Sequence, residues 1–390
     1  MKVLCTAQIG TGNVMGQTMR VVAIAKVLQR RGHDIKFIAA GKLITVIKNF
    51  GIEVLEAVNM PNISSVEIMP KMHDIMEKIR QIEVETALIE KPHLIVSGTI
   101  TGASAARQLD IPSIMTFLQP HGEKTINMFK SLMQHHDELA MKKILEGMSS
   151  AFGAANLIVL EGMPEISGGV TFGTFGDVLL SIKEKVRFSG PLLIEYPDQL
   201  PERDELKKVH IGGVHKKMAY ITIGGGSSLI GEEFIKTVLD SLRMIPEVTG
   251  VIATGIDISP ETIKSFDPPS NAIIRGFVPG TEMIKASDVT VFHGGSSTLM
   301  TCIACGTPAV VIPSMGEQED NGAVLSQFGA GIVLDKKTLT PSILVESMQK
   351  VLYDNSYRKN AQQLKTIGEK YGGASAAADW AEALVKANIK

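Results

Sequence analysis

The sequence predicts an α/β protein made of two parallel-sheet domains, and three observations carry that expectation. Apolar runs of strand length alternate with amphipathic stretches of helical length from the first residue onward, which is the pattern of βαβ units. At 390 residues the chain exceeds one ordinary core, so two domains is the simplest division. The alternation lapses between about Val170 and Lys217 and then begins again.

The elements follow in order. Val3 to Ala7 reads as a buried strand and Gln8 to Gln17 as a glycine loop. Thr18 to Arg31 carries Met19, Val22, Ala23, Ala25, Lys26 and Leu28 at helical spacing and stops at Gly32. Ile35 to Ala39, Leu94 to Val96 and Ser113 to Phe117 are further strands, the last two separated by a small-residue helix over Gly102 to Leu109. Val66 to Glu90 and the Met-rich stretch Met128 to Met148 read as helices. A new series starts with the strand Met218 to Ile223 and repeats to Leu334, followed by three helical segments. The boundaries expected are a first domain over 1–185, a linker over 186–217, a second domain over 218–372, and a terminal helix over 373–390 able to pack back on the first domain.

Composition narrows the function. A formal net charge of -2 supplies no basic field for a phosphate backbone, so nucleic acid is excluded as a partner. The three cysteines, Cys5, Cys302 and Cys305, lie in apolar stretches and spell neither a disulfide framework nor a metal site. No metal and no resident cofactor is expected. The N-terminus reaches its glycine loop too early for a signal peptide, and no apolar run attains the roughly 18–20 residues that cross a bilayer. A soluble cytoplasmic protein is expected, with the inner membrane face left open as a surface it touches.

The strongest motif lies between Phe292 and Gly322. A strand over Val289 to Phe292 leads through His293, Gly294 and Gly295 into a helix over Ser296 to Cys305. Glycines allow close backbone approach, and a helix N-terminus presents unpaired N–H groups with a partial positive charge of about half a unit, which together suit a diphosphate. His293, Ser297 and Thr298 add donors. After the strand Ala309 to Ile312 and Pro313, Glu317 and Gln318 are expected on a loop at the carboxyl edge of the sheet, where a carboxylate beside an amide suits sugar hydroxyls.

These residues resemble the inverting UDP-glycosyltransferases, with their antibiotic-, sterol- and lipid-glycosylating relatives. His293, Gly295, Gly306, Pro308, Pro313, Glu317, Gln318 and Asn321 match that family's donor motif in register, with Glu replacing its Asp. Gly224 to Ser228 resembles the loop that opens the donor domain, Arg275 to Pro279 the segment facing the nucleotide base, and Phe188 to Leu192 the interdomain linker. The resemblance implies the GT-B fold, two Rossmann-like domains facing each other across a cleft, and inverting, metal-independent transfer from a UDP-sugar. It assigns Gly224, Ser227, Phe277, Val278, His293, Gly295, Ser297 and Thr298 to nucleotide and diphosphate, and Glu317 and Gln318 to the sugar.

One departure stands out. The family's catalytic histidine is replaced by Asn13 and its aspartate partner by Ser97, and an amide is no base near neutral pH. His121 is the leading substitute base, with Glu123, His135, His136 and Asp137 behind it. Two alternatives need no substitute: an acceptor that is already ionised, or lost catalysis, which would leave a sugar-nucleotide-binding partner or regulatory protein. A UDP-sugar epimerase is a further alternative. Met128, Met133, Met141 and Met148 read first as core and secondly as an adaptable surface for an apolar or lipid-like acceptor.

Overall fold

A computed structural model describes residues 1–7, 15–58, 65–119, 122–125, 127, 150, 152–166, 182–213, 216–222, 232–254, 258–276 and 278–388. The first sheet contains β1 (Lys2–Thr6), β2 (Asp34–Ala39), β3 (Glu53–Glu56), β4 (Leu94–Ser97), β5 (Ser113–Leu118), β6 (Leu157–Glu161) and β7 (Val186–Gly190). Their order is β3-β2-β1-β4-β5-β6-β7, and every pairing is parallel. The second sheet contains β8 (Lys217–Thr222), β9 (Val248–Ala253), β10 (Ala272–Arg275), β11 (Val289–Phe292), β12 (Ala309–Val311) and β13 (Gly331–Val333). It runs β10-β9-β8-β11-β12-β13, again wholly parallel. The expected pair of parallel-sheet domains is therefore present.

Strand order fixes where ligands can enter. In each sheet the chain winds outward in one direction and then in the other, so a crevice opens at the carboxyl ends of the two strands that flank the reversal. Those strands are β1 and β4 in the first sheet and β8 and β11 in the second. The residues ending them are Thr6 and Ser97, and Thr222 and Phe292.

Helices cover both faces. The first domain has α1 (Met15–Arg30), α2 (Lys42–Asn49), α3 (Ser65–Glu90) and α4 (Ile100–Gln108). The remaining described helices of four or more residues are α5 (Arg203–Ile211), α6 (Glu232–Met244), α7 (Pro260–Lys264), α8 (Gly280–Ala286), α9 (Ser296–Cys305), α10 (Gly316–Gln327), α11 (Pro341–Tyr353), α12 (Asn355–Glu369) and α13 (Gly373–Asn388). The core of the first domain packs Val21, Val22, Ile24 and Leu28 of α1 against Phe37, Leu94 and Ile114 of the sheet. Two cores flank the second sheet, one of them formed by Leu299, Met300 and Ile303 of α9 with Phe292 and Val311.

The structure differs from the expected boundaries at one place. Residues 186–190, expected to open the linker, form the edge strand β7, which pairs with β6. The Gly190-Pro191 pair, one of the signals that suggested a linker, lies at the end of that strand, where Gly190 has φ +68° and the chain turns away. The two halves also exchange core residues. Met163 and Ile166 are buried in the core beneath the second sheet, while Ala374, Ala377, Ala378, Ala381 and Val385 of α13 are buried in the core of the first domain. The side chain of Arg31 at the end of α1 meets Asp379 at 2.7 Å, and His33 meets Glu382 at 2.9 Å. The Met-rich stretch 128–148 lies outside the described residues.

Candidate active site

The crevice of the second sheet is built around the turn between β11 and α9. Gly294 takes φ +90°, and a Cβ there would lie 2.5 Å from the backbone oxygen of Gln318. Only glycine suits this position, since left-handed backbone and a backbone clash would both penalise a side chain. That contact draws the start of α10 onto the turn. Asn321 fastens it by donating from Nδ2 to Gly294 O at 2.8 Å and to Ser296 Oγ at 3.2 Å, and Ser296 Oγ donates to Glu317 Oε1 at 2.6 Å. Gln318 Oε1 accepts from Ser314 N at 2.8 Å.

His293 is buried at 9% exposure, and its Nδ1 has no hydrogen-bond partner among the described residues. Burial disfavours the imidazolium and pushes its pKa down to about 4, so the ring is neutral at pH 7. It offers a hydrogen bond without a charge. Ser297 is exposed at the first turn of α9 and Thr298 is half-buried beside it. Glu317 and Gln318, expected on a loop, lie instead in the first turn of α10, with Met315 in extended conformation at the cap. Glu317 and Glu319 suit that turn because a helix N-terminus favours acids, a signal that a Pro-Ser-Met-Gly prelude concealed. Val278 packs against the core below the second sheet. Gly224, Ser227 and Phe277 lie outside the described residues.

The first domain closes on this turn. A Cβ at Gly16 in the first turn of α1 would lie 2.9 Å from Ser297 Oγ, so the N-termini of α1 and α9 meet across the cleft. Two positive helix ends concentrated at one place favour an anion beside them. Arg20, one turn further along α1, is buried and pairs with Glu161 at the end of β6 at 3.3 Å. Glu161 in turn accepts from Leu192 N at 3.0 Å. A second bridge runs from the segment after β5, where Thr125 donates from N and from Oγ1 to Asp320 Oδ2, both at 2.6 Å. Lys124 meets Glu319 beside it.

The crevice between β1 and β4 has different chemistry. Ser97 is fully buried, and its Oγ donates to Thr99 O at 2.7 Å and accepts from Thr99 N at 3.0 Å. Its hydroxyl is engaged in a local turn that leads into α4. Gly102 in α4 sits so close to the strand ends that a Cβ would lie 2.3 Å from Ser97 Oγ and 2.5 Å from Thr6 Cγ2. Into this corner α3 sends Glu83, 1% exposed, whose Oε1 accepts from Thr6 Oγ1 at 2.5 Å. Sequence reasoning missed Glu83. It occupies the apolar stripe of α3, in series with the buried Ile75, Ile79 and Ala87, and a carboxylate at that spacing was the signal available. Asn13, His121, His135, His136 and Asp137 lie outside the described residues, and Glu123 is exposed.

Comparison with known proteins gives a consistent picture. Residues 242–369 match the erythromycin biosynthesis protein CIII-like C-terminal domain. The chain is 26% identical to an uncharacterized glycosyltransferase of Methanosarcina mazei over 94% of both chains. It is 24% identical to the NDP-glycosyltransferase YjiC of Bacillus subtilis over 95% of both. Among solved structures it resembles the calicheamicin glycosyltransferase CalG4, with a TM-score of 0.71 at 19% identity, covering 100% of this chain and 99% of that one. It also resembles the Streptomyces glycosyltransferase SsfS6 complexed with thymidine diphosphate, with a TM-score of 0.66 at 18% identity, covering 98% of this chain and 99% of that one.

Proposed function

We infer that this chain, which shares the two-domain fold of the calicheamicin glycosyltransferase CalG4, is a GT-B glycosyltransferase that transfers a sugar with inversion from a nucleoside diphosphate sugar, a UDP-sugar by resemblance, to a small-molecule or lipid acceptor held against the first domain. The observation that carries this reading is the meeting of the α1 and α9 N-termini beside a neutral His293 whose Nδ1 has no partner among the described residues. The diphosphate would lie against the N-terminus of α9, beside the first turn of α1, and accept a hydrogen bond from His293, with Ser297 and Thr298 adding donors. As the bond to the anomeric carbon breaks, the negative charge on the leaving diphosphate would be stabilised by those N–H groups, in the part a metal ion plays elsewhere. Glu317 and Gln318 would hold the sugar from the first turn of α10. The thymidine diphosphate complex of SsfS6 supports a nucleoside diphosphate as a ligand of this fold.

A second reading, a donor-binding protein without turnover, is favoured by the engagement of Ser97 in its own turn. Thermal stabilisation by UDP, TDP, GDP and NAD tests the donor site. UDP or TDP alone should raise the melting temperature, by about 2.7 kcal/mol of stability at a hundredfold excess over Kd, and His293→Ala should lose most of that shift. No shift with any nucleotide sinks the donor assignment. Binding without transfer to any acceptor favours the second reading.

A further inference from the structure

We propose that Glu83 is the catalytic base of this protein, accepting the proton of the acceptor hydroxyl at the crevice between β1 and β4. The inference rests on the transferase reading above and supplies what that reading lacks. It begins from position: Thr6 and the turn after Ser97 frame the reversal point of the first sheet, where the carboxyl ends of two strands diverge. Glu83 reaches that point from α3, across the side of the sheet that α4 also covers, and the absent side chain of Gly102 is what lets α4 and its threonines approach.

The carboxylate is held but not satisfied. Oε1 accepts from Thr6 Oγ1 at 2.5 Å, while Oε2 is buried with no hydrogen-bond partner among the described residues. An ionised carboxylate accepts through both oxygens, and a buried acceptor left unmet costs free energy, so an incoming hydroxyl that fills it is favoured. Thr99 and Thr101 stand near enough to stabilise the charged form, and Arg80, one turn earlier on α3, is the charged neighbour that acts in the same direction. Burial outweighs all of them and pushes the carboxyl up to about 7, in the range suited to a base at neutral pH.

The step balances. The acceptor O–H bond breaks and its proton passes to Glu83 Oε2, while the oxygen's electron pair forms the new bond to the anomeric carbon. The bond from that carbon to the diphosphate oxygen breaks, and its electron pair departs on the nucleoside diphosphate. Glu83 returns the proton to water after product release.

A base matters only when the acceptor carries a proton, which gives the test. Transfer from UDP-glucose and TDP-glucose by the full chain would be measured with para-cresol, a phenol of tyrosine-like pKa of about 10, and with a chloro-nitrophenol that is ionised at neutral pH. Glu83→Gln should lower kcat for para-cresol by about a hundredfold or more, leave the ionised phenol within about threefold, and leave the nucleotide-induced thermal shift in place. Glu83→Asp, which keeps a carboxylate but withdraws it, should lose para-cresol transfer more than transfer to the ionised phenol, and it keeps the question answerable if the Gln variant fails to fold. Equal losses with both phenols overturn the proposal and make Glu83 a packing residue. A wild-type protein that binds nucleotide yet transfers to neither phenol overturns the transferase reading itself, and the role of Glu83 with it.

Discussion

The two crevices of this molecule share a topology and differ in chemistry. At the end of β11 the second sheet presents backbone: a glycine turn, a helix N-terminus and a neutral histidine. At the ends of β1 and β4 the first sheet presents side chains: hydroxyls from Thr6, Thr99 and Thr101 around one buried carboxylate. A diphosphate is the same in every sugar nucleotide, so backbone geometry suffices to hold it. On the reading proposed above an acceptor varies, and its proton must go somewhere, so that crevice would depend on particular side chains contributed by separate elements. The backbone-built site is therefore the more easily broken by geometry, and the side-chain-built site by charge.

The largest expected effect comes from geometry. Gly294→Ala places a Cβ 2.5 Å from Gln318 O at φ +90°, and should cost on the order of 4 kcal/mol of stability together with the nucleotide-induced shift. Urea unfolding with and without UDP measures both. A near-neutral variant would mean that the turn relaxes and that its glycine is not required.

Charge gives the next effect, and its sign is opposite. Glu83 titrates in the folded protein at about 7 against 4.5 for an ordinary glutamate, because burial penalises the carboxylate. Its contribution to stability is intact below pH 4.5 and is lost as pH rises to about 7. Around it, the facing groups on β1 and α4 are hydroxyls, and Arg80 is the charge on α3. Glu83→Gln carries no such penalty, so it should match wild type in acid and exceed it by about 3 kcal/mol above pH 7. Parallel stability curves across that window would show that Glu83 titrates normally. A variant that gains stability while losing transfer to a protonated acceptor would mark the carboxylate as kept for chemistry.

How much of this was legible follows the same division. Alternating apolar and amphipathic stretches pointed to the parallel sheets, because the central strands of a sheet covered on both faces carry near-continuous apolar runs. The run from His293 to Asn321 pointed to the glycine turn between β11 and α9, because a helix N-terminus, its glycines and its contacts are contiguous in the chain. The first crevice was not legible in this way. Thr6, Glu83 and Thr99 are brought together only by the packing of α3 and α4 on the strand ends, and in the sequence Glu83 is one polar residue in a long amphipathic helix. Strand β7 was hidden for another reason: Val186 to Gly190 is an edge strand whose Gly-Pro exit reads as a linker.

The smallest effect concerns the join between the two regions. Asp320 lies on α10, the helix that begins with Glu317 and Gln318, and it accepts two hydrogen bonds from Thr125 of the first domain. Asp320→Ala leaves the buried Thr125 N–H and hydroxyl without that partner and should cost about 1–3 kcal/mol. Asp320→Asn, which keeps one acceptor oxygen, should cost less. The neighbouring Lys124 is exposed and its partner Glu319 is partly so, and Lys124→Ala should change stability by less than about 1 kcal/mol. Because Asp320 reaches Thr125 while the β11–α9 turn is fastened by Asn321, the nucleotide-induced thermal shift should persist in Asp320→Ala while amide exchange at 122–125 accelerates. Loss of nucleotide binding together with the bridge would instead mean that the donor site exists only when the two domains are closed, and that the two crevices work as one.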